Sequence, residues 1–173
     1  MALAALTGGG GDGEIHVFQQ PLTEKSTVKR CPLGTLRREG NRWYKYVQFT
    51  TGTAAVNVAA GDILFYKSVD GNTVVGDLTD IQANMAAGVA QVALTGGTAA
   101  ASSNDVNAYI WVQIKGLAAI ETDVVAGSAG NALTTVGAAD KTLDVSALVT
   151  DPIFATLVVA TAGAQVIQCD FPW

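Results

Sequence analysis

The strongest constraint on the fold is a repeated pattern of short, strand-like segments separated by turn signals. Residues 42–49 are dense in aromatic and β-branched side chains, and residues 109–115 alternate between an apolar face and an aromatic, polar face that includes Trp111. Turn signals such as Asp70–Gly71 recur at intervals of roughly 8–12 residues, as in β-sandwiches and barrels. The chain is therefore predicted to be all-β: a compact antiparallel β-barrel or β-sandwich of about ten short strands.

The individual elements can be placed along the chain. One short helix is predicted within residues 77–86, with Asp77 or Asp80 as its N-cap. The aromatic and polar face of 109–115 is expected to be partly exposed or interfacial. Strands are predicted at residues 42–49, 63–67, 73–75, 88–94, 109–115, 117–122, 133–136, 142–145, 154–160 and 165–171.

The N-terminal segment has a different composition. It contains four consecutive glycines, Gly8–Gly11, and then two isolated prolines, Pro21 and Pro32, with no periodicity that would fix a long element. We predict an extended arm over residues 1–40 that lies on another surface, followed by a β domain over residues 41–173. An arm of this kind loses entropy when it becomes ordered, but it can cover a large partner surface.

Charge is unevenly distributed. Residues 1–50 hold seven basic and four acidic residues, a net charge of +3, whereas residues 51–173 hold three basic and eleven acidic residues, a net charge of −8. The basic segment 25–45 is typical of a contact segment, with nucleic acid or an acidic neighbouring subunit as its partner. The sequence pI near 4.6 makes nucleic acid the weaker choice. Charged residues make up only 14%, which suggests that part of the exterior is buried in an assembly.

Residues that would carry catalysis or bind a metal are scarce. The single histidine, His16, excludes a histidine-based triad and a multi-histidine metal site. Gly8–Gly13 formally matches a dinucleotide fingerprint, but it follows no strand and precedes no helix. Ser26 and Lys29 match an acylating-serine motif without its supporting motifs. We interpret Asp62, Asp70, Asp77 and Asp80 as turn residues rather than a calcium site. We predict that the protein is not an enzyme and that it binds no cofactor or metal.

The cysteine content and the hydropathy of the chain indicate the cellular compartment in which the protein is assembled. Cys31 and Cys169 lie near opposite ends of the sequence, so a disulfide remains open, and two free thiols in a reduced compartment are favoured. No apolar run is long enough to cross a bilayer, and the first residues lack the basic region of a secretory signal. We therefore predict no membrane partner and assembly in the cytoplasm.

Several turn and strand motifs occur in an order that resembles phage head-decoration (capsid cement) proteins. The resemblance covers about residues 33–145 and rests on patterning rather than on a catalytic signature. It implies a β-tulip-like fold and a virion structural protein on the capsid exterior, assembled in the host cytoplasm. It also implies a homo-oligomer, commonly a trimer, with the major capsid protein as partner. The matching segments are Leu33–Thr35 leading to Trp43–Tyr46, then Ala60–Leu64, Ala87–Ala90, Val112–Gly116 and Ala126–Gly127 leading to Ala132–Leu133.

Other functions remain as alternatives. The chain could be a tail or fibre component or a bacterial surface domain, and its mixture of arginines and aromatic residues also suits a nucleic-acid-binding barrel. The C-terminal Phe171–Trp173 either packs on the core or anchors in a neighbour's pocket. The predicted partner-interface residues are Ile15, Val17, Phe18, Leu22, Arg30, Arg37, Arg38, Trp111, Phe171 and Trp173.

Overall fold

Ten strands and a single turn of 3-10 helix make up the regular structure of the described residues. The computed structural model describes residues 20–67, 70–81, 85–96, 105–124 and 127–172. This confirms the predicted all-β class. The elements are β1 (Leu36–Glu39), β2 (Arg42–Phe49), β3 (Ile63–Tyr66), β4 (Thr73–Val75), a 3-10 helix (Leu78–Asp80), β5 (Ala86–Ala90), β6 (Tyr109–Ala119), β7 (Ala132–Thr134), β8 (Asp144–Val145), β9 (Ala155–Val159) and β10 (Val166–Asp170).

Five strands close into a barrel in the order β2, β4, β3, β5 and β6, because β6 also pairs with β2. Four of the five contacts are antiparallel, as predicted. The β2–β4 contact is parallel, with Gln48 opposite Thr73 and Phe49 opposite Val74. The parallel contact corrects the expectation of a purely antiparallel barrel. The cause is the β3–β4 hairpin: β3 runs opposite to β4, and it is β4, running in the same direction as β2, that lies next to β2.

The remaining strands extend the barrel on both sides. β1 pairs with β2, and β10, β9, β7 and β8 follow in that order from β6. The eleven-residue β6 therefore belongs to the barrel at its start and to the outer sheet at its end. The change occurs at Gly116, which has a φ of +91°, and a Cβ atom there would lie 2.7 Å from the carbonyl oxygen of Asn41. Only glycine tolerates both conditions.

One apolar core fills the barrel and continues beneath the outer strands. Its largest buried side chains come from both parts and include Phe49, Phe65 and Leu157. Phe171 also belongs to it, at 1% exposure, and stacks on Phe154 with ring centroids 6.4 Å apart. Phe171 is therefore a core residue, which corrects its assignment to a partner interface.

Most of the predicted strands are present, with shifts at their ends. The segment 117–122, predicted as a separate strand, continues β6 as far as Ala119. β1 lies within the predicted arm of residues 1–40, so that arm includes one strand of the sheet. The predicted short helix is a 3-10 turn capped by Asp77, whose carboxylate accepts a hydrogen bond from the backbone N–H of Thr79. Within the described ranges, no helix has the length and apolar character needed to cross a membrane.

Candidate interaction surface

The aromatic face of the β2–β6 pair is covered by the chain's own N-terminal segment. Tyr44, Tyr46 and Trp111 form a buried cluster there, 3%, 0% and 0% exposed, and Leu22 and Leu33 pack against it. This corrects the prediction that the second face of residues 109–115 is exposed or interfacial, and with it the place of Trp111 among the interface residues. The physical reason is that aromatic side chains lower their free energy by leaving water, and residues 20–33 are close enough to cover them.

The side chain of Gln20 fixes this segment on the barrel. Its Nε2 donates to the carbonyl oxygens of Glu24 and Tyr109, both at 2.8 Å, and its Oε1 accepts from the Tyr46 hydroxyl at 2.8 Å. Gln20 is 3% exposed, so each of these bonds satisfies a polar atom that water cannot reach. Burial raises the pKa of the Tyr46 phenol, which keeps its hydroxyl a donor.

The backbone at the same residue is held as well. The carbonyl oxygen of Gln20 accepts from Trp111 Nε1 at 3.2 Å and from Arg37 Nη1 at 3.1 Å. Ser26 and Tyr109 exchange two backbone hydrogen bonds, of 3.1 and 2.7 Å. Gln20 is therefore a fixed point on the barrel surface. We call residues 20–35 the arm root.

Two cations on the arm root face solvent. Lys29 and Arg30 are exposed, and neither forms an ion pair with any described residue. The backbone N–H of Arg30 donates to the Tyr46 hydroxyl at 3.2 Å, which holds the residue in place while its exposed side chain stays accessible to a partner. By contrast, Lys25 is engaged with Asp105 at 2.7 Å.

A second group of cations lies on β1 and its turn into β2, residues 36–42, which we call the cationic edge. Arg38 lies 5.8 Å from the centre of the Trp43 ring and donates from Nε to the carbonyl oxygen of Gly40 at 2.9 Å. Arg37 pairs with Glu39 and also lies 5.8 Å from the Trp111 ring. Arg42 and Arg38 are exposed. The contact with the Trp43 ring and the hydrogen bond to Gly40 hold the Arg38 side chain in a defined position. Binding a partner would therefore cost this side chain little further conformational entropy.

Lys45 belongs to the same basic segment but is not available to a partner. It is 5% exposed, and its Nζ donates to the Tyr66 hydroxyl at 3.1 Å and lies 4.9 Å from that ring's centre. Burial lowers the pKa of Lys45, and the nearby Asp70 carboxylate partly opposes this effect. Burial also raises the pKa of Tyr66 to about 12. The Tyr66 hydroxyl in turn donates to the carbonyl oxygen of Pro172 at 3.2 Å.

An open groove of about 520 Å³ lies between the β1–β2 turn and strands β9 and β10. Its lining includes Trp43, Ile153, Cys169 and an ion pair between Lys115 and Asp170 at 3.3 Å. Burial raises the pKa of Cys169 to about 12, so its thiol stays protonated and is a poor nucleophile. Both Cys169 and Cys31 are free thiols, as favoured from the sequence. The groove therefore offers mixed apolar and polar contact area rather than an activated side chain.

Three of the four aspartates interpreted as turn residues, Asp62, Asp70 and Asp77, accept backbone hydrogen bonds, whereas Asp80 pairs with Lys67 at 2.8 Å. Asp62 accepts from the N–H of Ala59 at 2.7 Å, and Asp77 accepts from the N–H of Ala54 at 2.7 Å. Burial acts to raise the pKa of Asp77, but hydrogen bonds from Thr79 and Ala54 outweigh it and leave the pKa below its ordinary value. Across the parts of the chain that the structure describes, no three metal-ligating side chains converge on one point.

Sequence reasoning missed an exposed apolar turn between β8 and β9. Leu148 and Val149 are 63% and 105% exposed. The turn is well fixed, because the Asp151 carboxylate accepts from the Ser146 hydroxyl and from the N–H groups of Ala147 and Leu148, at 3.2, 3.1 and 2.9 Å. The sequence signal for this turn is the Asp–Pro pair at its end. That pair favours a turn, but it does not show that the apolar residues before the pair point outward.

The predicted interface residues thus fall into three groups. Leu22, Arg30, Arg37 and Arg38 lie on the arm root or the cationic edge. Trp111 and Phe171 are core residues. Ile15, Val17, Phe18 and Trp173 lie outside the described residues.

No protein-family model matches this chain, and no curated protein matches it either.

Proposed function

We propose that this protein is a virion structural protein that binds a phage capsid shell and stabilises it as a cement or decoration protein. It acts by binding and carries out no reaction. Its partner is the major capsid protein, and its place is the exterior of the capsid. The proposal rests on the resemblance of the turn and strand pattern to phage head-decoration proteins. The arrangement of the arm root supports it.

The observation that carries the proposal is the arm root, which is fixed to the barrel at Gln20 and bears exposed cations that form no ion pair with a described residue. Gln20 is held by Tyr46, Trp111 and Tyr109, so the arm root has a defined position on the barrel. Lys29 and Arg30 add positive charge to it. A segment that already presents its charges in a fixed position binds a second surface with little further loss of entropy. Several copies on one shell gain further from effective concentration.

The experiment is co-sedimentation with capsids assembled from the major capsid protein encoded in the same genome. We expect the full chain to sediment with these capsids and to raise the temperature at which they disassemble. Arg30→Glu is expected to weaken binding by roughly tenfold, because it replaces an attraction with a repulsion at a desolvated contact. Arg30→Lys, which keeps the charge, is the matched control and should bind nearly as well as the original chain.

Two results would overturn the proposal. One is failure of the full chain to sediment with the capsids at low salt. The other is tight binding to generic double-stranded DNA that falls steeply with salt concentration, since counterion release is the mark of a nucleic-acid-binding surface. The second result would favour the nucleic-acid-binding barrel instead.

A further inference from the structure

The sheet has two free edges, which carry opposite charge. β1 and β8 are the terminal strands of the ten-stranded order, and each pairs with a single neighbour. Within the described residues, no other strand pairs with either of them. A free edge presents unpaired backbone groups and is a ready contact for another chain unless charge or covering residues prevent it.

The two edges are six strand spacings apart in the order of the sheet. The continuous path from one to the other runs β1, β2, β6, β10, β9, β7 and β8. Within the described residues β1 and β8 do not pair with each other, so the edge of one copy can meet the other edge on a second copy.

The β1 side is the cationic edge already described. Residues 36–42 hold three arginines and one glutamate. Arg37 pairs with Glu39, so the free positive charge lies on Arg38 and Arg42, both exposed. Neither forms an ion pair with a described residue.

The β8 side, residues 140–151, is the acidic edge. It holds three aspartates, Asp140, Asp144 and Asp151, and one lysine. The lysine, Lys141, is turned to the buried Asp62, with 3.7 Å between Nζ and Oδ2. All three aspartates are partly exposed, and the hydrogen bonds that they accept from described residues come from hydroxyl and backbone N–H groups and not from cations. The exposed turn at Leu148–Val149 supplies the apolar area on this side.

We propose that copies of this chain associate head to tail, with the cationic edge of one copy against the acidic edge of the next. Charge complementarity selects this contact, because the chain carries a net charge of −5 and most other pairings of two copies bring like charges together. The exposed Leu148–Val149 turn beside the acidic edge provides apolar area for the water-excluded part of the interface. Each copy keeps one unused edge after the first contact, so the assembly closes into a ring or extends further. This association does not depend on the capsid role.

The test is the mass of the purified full chain by analytical ultracentrifugation, with no capsid present. We expect association in about 0.01 M salt and its loss in about 1 M salt, because the Debye length falls from roughly 30 Å to roughly 3 Å. Arg38→Glu and Asp144→Lys are each expected to weaken association by roughly tenfold or more. Glu24→Lys changes the net charge as much as Asp144→Lys but lies on neither edge, so it should associate like the original chain.

Mixing the two edge variants gives the decisive result. An equimolar mixture of Arg38→Glu and Asp144→Lys is expected to associate again, because each variant keeps the edge that the other has lost and the two reversed edges are complementary. Recovery in the mixture also shows that both variants are folded. The proposal is overturned if the original chain is a monomer at every concentration in low salt, or if the mixture associates no better than either variant alone. Neither result bears on capsid binding, which the sedimentation experiment measures separately.

Discussion

Replacing Tyr46 with phenylalanine removes one hydroxyl from the interior of the arm root and leaves the aromatic ring in place. That hydroxyl donates to Gln20 Oε1 at 2.8 Å and accepts from the N–H of Arg30 at 3.2 Å. The arm root is exposed at Arg30, so water can take over there. Gln20 is 3% exposed, so its Oε1 would be left without a donor in a place that water does not reach.

The expected cost follows from that difference. A buried acceptor left unsatisfied costs about 1–3 kcal/mol, whereas a lost bond to an exposed N–H costs little. We therefore expect Tyr46→Phe to lower the free energy of unfolding by about 2 kcal/mol. In urea this corresponds to a midpoint shift of roughly 1 M for a protein of this size. Tyr44→Phe is the matched control: Tyr44 is on the same strand and face, and its hydroxyl has no hydrogen bond to a described residue.

Urea unfolding followed by tryptophan fluorescence measures the loss, and amide hydrogen exchange locates it. We expect exchange to increase most at residues 20–30, which the Gln20 contacts hold to the barrel. The reasoning is refuted if Tyr46→Phe and Tyr44→Phe have the same midpoint, or if exchange increases equally throughout the barrel.

Three further predictions concern other sites. Gly116→Ala should cost about 2–4 kcal/mol in thermal unfolding, since a Cβ meets a backbone atom at 2.7 Å and φ is +91°, while Gly40→Ala, with positive φ but open space, should cost only about 1 kcal/mol. Because the pKa of Tyr66 is raised to about 12, the folded chain keeps this proton after the unfolded chain has lost it. Stability should therefore fall by about 2–3 kcal/mol between pH 10 and 12, and fall less in Tyr66→Phe. In thiol titration of the native protein, the half-buried Cys31 should react before the buried Cys169. After unfolding without reductant both thiols should react, and detection of only one or of none would contradict the assignment of both cysteines as free thiols.

The local pattern of the sequence was enough to predict the strands but not how they pair. Alternation and β-branched residues placed β2, β3, β4 and the start of β6 nearly at their observed bounds, because these signals arise within a few residues, but they divided β6 in two at Gly116. The parallel contact between β2 and β4 depends on how distant segments meet, which single-strand patterns do not encode. β1 was missed because its sequence, Leu–Arg–Arg–Glu, has the charged composition of a short edge strand and none of the usual apolar alternation.

The interaction surface was predictable in composition and less so in position. The basic segment 25–45 was correctly noticed as a cluster of charge, yet Lys45 within it is buried against Tyr66. The alternation of residues 109–115 was correct, but the sequence could not show that residues 20–33 cover the aromatic face. Both errors have one cause: burial is set by segments far apart in the chain, and periodicity within one strand says only that two faces differ.

The position of β6 in both the barrel and the outer sheet has a consequence for the order in which the chain folds. All five barrel strands lie within residues 42–119, whereas β7–β10 come later and, as strands, pair only with β6 and with each other. During synthesis, which proceeds from the N-terminus, the barrel can close as soon as β6 is free of the ribosome, before the rest of the outer sheet exists. The closing contact joins β2 to β6, which are far apart in sequence, so we expect it to form more slowly than the local hairpins. The end of β6 then offers the edge on which β10, β9 and β7 add.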